Sequence, residues 1–246
     1  MVGDISPVLL VFLYGLITAL ATGLGALPFA FVRSISPRIT AYSNAIASGL
    51  MLGASFGLVA EGTRFGPWQT IIGAVIGVLF VLLAQMFLRE RDLGFGVVHG
   101  AGARRMILVL VVMTVHSFAE GVAVGVAFGG GMTLAVAIVV AIAVHNIPEG
   151  LAISAVLRPR GVSVAACAGW SIVSSLPQPL MAVPAFLLVG AFAGVIPYGI
   201  GFAAGAMVFM VFVELLPEAF EEGRRPRVAL IVSATLMGMV LFQQYL

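Results

Sequence analysis

The stretch that decides the fold is ILVLVVMTVHSFAEGVAVGVAFGGGMTLAVAIVVAIAVHNIPEGLAISAVL, residues 107–157. It is two apolar runs joined by three consecutive glycines, and each run is long enough to cross a bilayer, which takes roughly 20 mostly apolar residues. Each run also carries one histidine and one glutamate near its middle: His116 and Glu120 in the first, His145 and Glu149 in the second. Both pairs are four residues apart, so in a helix each pair shares one face. The segments HSFAEGVAVG and HNIPEGLAIS have the common form His-x-x-x-Glu-Gly-x-Ala, offset by 29 residues. A short turn between the runs makes the helices antiparallel and lets one imidazole and one carboxylate from each converge at mid-depth.

The rest of the chain has the same character. Of its 246 residues, 61% are apolar and 9% charged, and mean hydropathy is +1.18. A soluble domain is about a quarter charged, so this composition excludes that class, and with it disorder, a disulfide scaffold and nucleic-acid partners. The apolar runs predict eight transmembrane helices in an all-α polytopic membrane protein, near 7–31, 41–60, 70–88, 106–128, 132–157, 163–190, 193–219 and 228–246, with 89–105 as the longest loop. The boundary at Gly190–Gly194 rests on glycines and on the length of the run rather than on charge. The N-terminus MVGDISP has no Lys or Arg before the first apolar run, so the first span is expected to be retained rather than cleaved as a signal.

All twelve basic residues are arginines, and eleven fall in odd-numbered loops, Arg64 being the exception. That bias places the odd loops, including 89–105, in the cytoplasm and both termini outside. The net charge of +2 therefore reports topology, not an acidic partner. Cys167 is the sole cysteine and can close no intrachain disulfide. Gly-x-x-x-Gly pairs at Gly49/Gly53, Gly73/Gly77, Gly121/Gly125, Gly125/Gly129 and Gly201/Gly205 predict close helix packing, with a homodimer face as a second use of the same pattern.

An ionisable side chain at membrane depth costs several kcal/mol unless paired or functional, so His116, Glu120, His145 and Glu149 are the informative residues. Two imidazoles and two carboxylates without a thiolate suit a divalent transition metal, zinc first, with Fe, Mn, Co and Cd able to use the same set. Pro148 frees backbone groups beside His145, and SSLPQP (174–179) adds a second kinked polar patch around Gln178. A proton-coupled carrier of another cation, with the His/Glu pairs as relay, is the alternative. An intramembrane metalloprotease would need His-Glu-x-x-His, a string this chain lacks. A non-transporting scaffold would tolerate alanine at His145.

These residues resemble the ZIP (Zrt/Irt-like protein) family of divalent metal transporters, especially its bacterial GufA-like branch. HSFAEG followed by HNIPEG carries the resemblance, supported by GLMLGASF (49–56) and FAAGAMVFMVFVELLPEA (202–219). It implies a 3+2+3 helix arrangement in the plasma membrane (the bacterial inner membrane) and a metal site at His116, Glu120, His145 and Glu149. It also implies metal moving towards the cytoplasm as the transport helices shift against the others. The metal is cargo, and no organic cofactor is expected; metal ion and membrane lipid are the expected partners. Where relatives with a binuclear centre place further ligands, this chain has Ser117, Asn146 and Gln178, so one strong site and a weak or absent second are expected. Ala119 stands where many relatives have proline, which leaves the fourth helix straighter. Glu214, Glu218 and His99 lie on the cytoplasmic side as candidate exit groups.

Overall fold

The computed structural model describes residues 6–31, 36–89 and 101–244, and every element among them is helical. The helices are α1 (Pro7–Leu24), α2 (Pro37–Phe65), α3 (Pro67–Arg89), α4 (Ala101–Gly129), α5 (Met132–Leu157), α6 (Val164–Ser175), α7 (Pro177–Ala191), α8 (Ile196–Met210), α9 (Leu216–Glu222) and α10 (Arg225–Gln243). Helices α6 and α7 together make the sixth span. The seventh is α8, a π-helical turn at Val211–Leu215, and α9. Seven helical segments among the described residues are long and apolar enough to cross a bilayer. The remaining span is α4, a helix of 29 residues holding His116 and Glu120.

Several helix starts lie outside the apolar runs. The second span begins at Pro37 rather than 41, the third at Pro67 rather than 70, and the eighth at Arg225 rather than 228. In each case a proline occupies the first or second helical position, where its fixed φ suits the helix and its missing N–H costs nothing. Hydropathy marks where lipid begins, whereas proline marks where the helix begins. The first span is α-helical only to Leu24 and continues as a short 3-10 turn at Leu27–Ala30. The loop assigned to 89–105 is shorter at both ends, because Arg89 closes α3 and α4 starts at Ala101. Helix α4 is unbroken through Ala119.

Among the most extensive helix contacts are α3 with α8, α4 with α7, α2 with α10, and α1 with α5. All four pairs run parallel and meet through glycine, so that backbones touch. A Cβ at Gly73 or Gly77 would lie 2.2 Å from the Tyr198 carbonyl oxygen or 2.0 Å from that of Phe202; one at Gly201 or Gly205 would lie 2.1 Å from the carbonyl oxygen of Thr70 or Ala74. Gly49 and Gly53 meet Thr235 and Met239 of α10, and Gly125 meets Ala182 of α7. The Gly-x-x-x-Gly pairs are thus spent on contacts within the chain.

Numbered by span, the pairs are 3 with 7, 4 with 6, 2 with 8 and 1 with 5. Exchanging spans 1–3 for 6–8, and 4 for 5, maps this set of pairs onto itself, which is the 3+2+3 arrangement expressed as contacts. Outward-facing leucines such as Leu180, Leu188, Leu230 and Leu241 are exposed, as lipid-facing positions are in a bilayer protein. Helix α10 buries only 11% of its apolar window.

Gly205→Val drives its side chain into the α3 backbone, whereas Gly169 has nothing within 4 Å of a built Cβ. In detergent, Gly205→Val is expected to lower the melting temperature by about 5 °C or more, and Gly169→Val by under about 2 °C.

Candidate metal centre

The two His-x-x-x-Glu-Gly segments sit midway along α4 and α5, and the fold gathers all four ionisable side chains. One ligand-capable atom from each of His116, Glu120, His145 and Glu149 lies within 4.8 Å of the others. His116, Glu120 and His145 are fully buried and Glu149 is 1% exposed. His145 Nε2 is 2.5 Å from Glu120 Oε1. His116 Nε2 is 2.9 Å from Glu149 Oε1 and 3.5 Å from Glu120 Oε1. Both imidazoles therefore turn Nε2 towards the carboxylates, and the Glu120 carboxylate faces both rings.

The glycine that follows each glutamate is part of this geometry. A Cβ at Gly121 would lie 2.6 Å from the Gln178 carbonyl oxygen, and one at Gly150 1.7 Å from that of Thr22. With no side chain there, α7 closes on α4 and α1 closes on α5. Polar groups of those helices then reach the cluster. Gln178 Nε2 donates to Glu120 Oε2 at 2.5 Å, and Asn146 Nδ2 donates to the Thr18 carbonyl at 2.9 Å and to Gln178 Oε1 at 3.2 Å. The break between α6 and α7 supplies the donor: Pro177 starts the new helix, and Gln178, in its first turn, is fully buried. Ser175 Oγ donates to Thr22 Oγ1 at 2.8 Å and ties this break to α1.

Several polar atoms of the cluster lack hydrogen-bond partners among the described residues. They include Glu149 Oε1, His116 Nε2 and the Nδ1 atoms of both histidines. His116 Nε2 and Glu149 Oε1 are close but make no properly directed hydrogen bond. A buried polar atom without a partner costs about 1–3 kcal/mol. Nitrogen lone pairs and carboxylate oxygens turned on one small volume are what a divalent cation satisfies.

The sequence profile of the ZIP zinc transporter family matches residues 96–243, more than half of the chain. The chain belongs to this family. It is 45% identical over 231 residues to a putative zinc transporter of Arabidopsis thaliana, covering 92% of this chain and 37% of that protein. It is 31% identical to the zinc transporter ZupT of Corynebacterium glutamicum over 87% of this chain and 91% of the relative. It is also 31% identical to the zinc transporter GufA of Myxococcus xanthus, over 85% and 87%. The chain thus spans about a third of the plant relative and most of each bacterial one. Members of this ZIP family are transporters rather than enzymes.

The other residues singled out in the sequence divide into two groups. Asn146 and Gln178 are buried beside the four, with both amide nitrogens engaged, Gln178 to Glu120 and Asn146 to Thr18 and Gln178. Ser117 is buried next to His116. Glu214 and Glu218 stand apart in the seventh span and are half-buried. Gln85 Nε2 of α3 donates to Glu214 Oε1 at 3.0 Å, and Asn44 Nδ2 of α2 to Glu218 Oε2 at 3.1 Å. Glu214 lies within the π turn. Pro217, just beyond it, brings no N–H and would crowd the Val213 carbonyl in a regular α-helix, which the wider turn relieves. His99 lies outside the described residues. Sequence reasoning missed Asn44, Gln85 and Thr18. The first two were visible as amides within apolar runs, whereas Thr18 acts through its main-chain carbonyl and leaves no sequence signal.

Gln178→Ala removes the donor that holds Glu120 while leaving the four cluster residues in place. Outer partners of metal ligands are typically worth about 10–100-fold in affinity, so calorimetric zinc titration of the purified variant should show a loss in that range.

Proposed function

We propose that the chain carries divalent transition-metal ions, zinc foremost, across the membrane through His116, Glu120, His145 and Glu149. The observation that supports this most is the burial of two imidazoles and two carboxylates within 4.8 Å at the middle of two membrane spans. A dication there offsets both carboxylates and gives the unpartnered acceptors a partner, which makes transfer into a low-dielectric site affordable. The relatives named as zinc transporters favour zinc. Fe, Mn, Co and Cd suit the same ligands, and the order among them is a matter for competition.

One ion is bound at a time in this reading. Asn146 and Gln178 spend their amide nitrogens on Thr18 and Glu120, and neither brings the negative charge that a second dication requires. Ser117 adds only a neutral hydroxyl. Glu214 and Glu218, oriented by Gln85 and Asn44, serve as the cytoplasmic exit groups. The bias of eleven of the twelve arginines to odd loops supports an orientation with those loops in the cytoplasm and both termini outside, and transport inwards across a plasma membrane, the inner membrane of a bacterium. Lipid surrounds the exposed leucines. A homodimer would use such a lipid-facing surface, since the glycine faces are occupied within the chain.

Proteoliposomes with zinc outside and a fluorescent zinc sensor inside test the proposal. Wild type should fill with zinc and Glu149→Ala should match empty liposomes, while Fe, Mn, Co or Cd compete with zinc for wild-type uptake. A folded wild type with no zinc flux would contradict the proposal and favour the proton-coupled alternative.

A further inference from the structure

A cavity of about 240 Å³ opens between α2, α5, α8 and α10. Glu61, Arg64 and Gln243 line it near the ends of their helices, Leu58 lies one turn further in, and Ile142 and Met207 line it near mid-span. Glu61 and Arg64 sit near the C-terminal end of α2 and Gln243 at that of α10, while α5 contributes its N-terminal half. Because spans alternate in direction, these ends share one membrane face, the one opposite the arginine-rich loops. The deep end stops close to the cluster, since Ile142 precedes His145 by three residues, or about 4.5 Å of helix rise. Leu58, Ile142 and Met207 are buried, so the polar mouth gives way to an apolar floor.

At the mouth, Arg64 Nη1 donates to Glu61 Oε2 at 3.0 Å. The Arg64 side chain is 77% exposed and that of Glu61 27%. Arg64 is also the single arginine outside the odd loops, and among the described residues it is held against the one carboxylate side chain that lines the cavity. Exposed pairs of this kind are worth under about 1 kcal/mol, so an incoming dication can displace the guanidinium from the carboxylate.

We propose that Glu61 is the capture group for the transported cation and that Arg64 sets the affinity of capture by competing for the same carboxylate. This rests on the metal-transport reading of the buried cluster. A carboxylate at the rim of a low-dielectric cavity concentrates cations at its mouth and speeds their arrival. The guanidinium cancels part of that field until a dication takes its place. Glu61 therefore acts on the arrival of the cation and leaves the crossing step itself untouched.

Zinc uptake by proteoliposomes holding wild type, Glu61→Gln, Arg64→Gln, the double variant and Glu149→Ala separates the possibilities. Glu61→Gln should raise KM about fivefold with the maximal rate unchanged, as expected for a charge that acts on arrival. Arg64→Gln should lower KM about threefold when Glu61 is present and by less than about 1.5-fold on the Glu61→Gln background, the non-additivity of a direct pair. Wild-type KM in both single variants, with Glu149→Ala still inactive, overturns the capture role alone. An equal effect of Arg64→Gln on both backgrounds overturns the competition, since it marks diffuse charge repulsion. No zinc flux in wild type overturns the transport reading and this inference with it. Both positions are partly exposed at a helix end, and melting temperatures within about 2 °C of wild type establish that the variants fold.

Discussion

Two imidazoles and two carboxylates packed together at mid-membrane dictate how closely the flanking helices must approach. Insertion of a single charged side chain at the centre of a bilayer helix costs about 2.5–3.5 kcal/mol, so four ionisable groups must find partners among themselves and their neighbours. The cluster can meet that demand only if the flanking helices come within hydrogen-bonding reach. Gly121 and Gly150 make this possible, because a side chain at either position would strike the backbone of α7 or α1. The repeated Glu-Gly step is thus a ligand followed by the contact that lets a neighbouring helix support it. Gln178 and the Thr18 carbonyl arrive through those two contacts.

The same device, glycine against backbone, builds the remaining pairs. Spans 1, 4, 5 and 6 hold all the residues in and around the cluster. Spans 2, 3, 7 and 8 form a second group through α2 with α10 and α3 with α8. Between the groups, α2 meets α5 and α4 meets α8. The cavity whose mouth holds Glu61 and Arg64 lies along the first of these boundaries and ends one turn from His145. Where a helix departs from regular geometry, at the break before Pro177 and at the π turn before Pro217, a polar side chain is held in place by an amide or carboxylate partner. Proline-driven irregularity inside a bilayer is tolerated where protein rather than lipid surrounds it, and at each of these sites a neighbouring helix supplies the side chain that meets the irregular turn.

Much of this was legible in the sequence because the bilayer imposes length and polarity so strictly. The spans follow from apolar runs, and the four cluster residues from two copies of one motif at matched depth. Helix starts were less legible, since Pro37, Pro67 and Pro226 set them in stretches that hydropathy treats as loop. The glycine pairs announced close packing but not the partner, because any two glycine faces are compatible until the connecting spans fix who meets whom. Gln178 stood out between two prolines, yet its part as donor to Glu120 depends on the approach of α7 at Gly121. Thr18 contributes a main-chain oxygen that any residue could supply. In the sequence Arg64 stood out only as the arginine outside the odd loops and Glu61 carried no signal; the cavity between α2 and α5 joins them.

X-ray absorption at the zinc edge, on purified protein loaded with zinc and measured for bound stoichiometry, reads the ligand set of the buried cluster. One zinc per chain is expected, in a shell of nitrogen and oxygen at roughly 2.0–2.2 Å, with the outer scattering of two imidazoles and no sulfur. A spectrum without imidazole scattering, or one unchanged when both His116 and His145 are replaced by alanine, would contradict it.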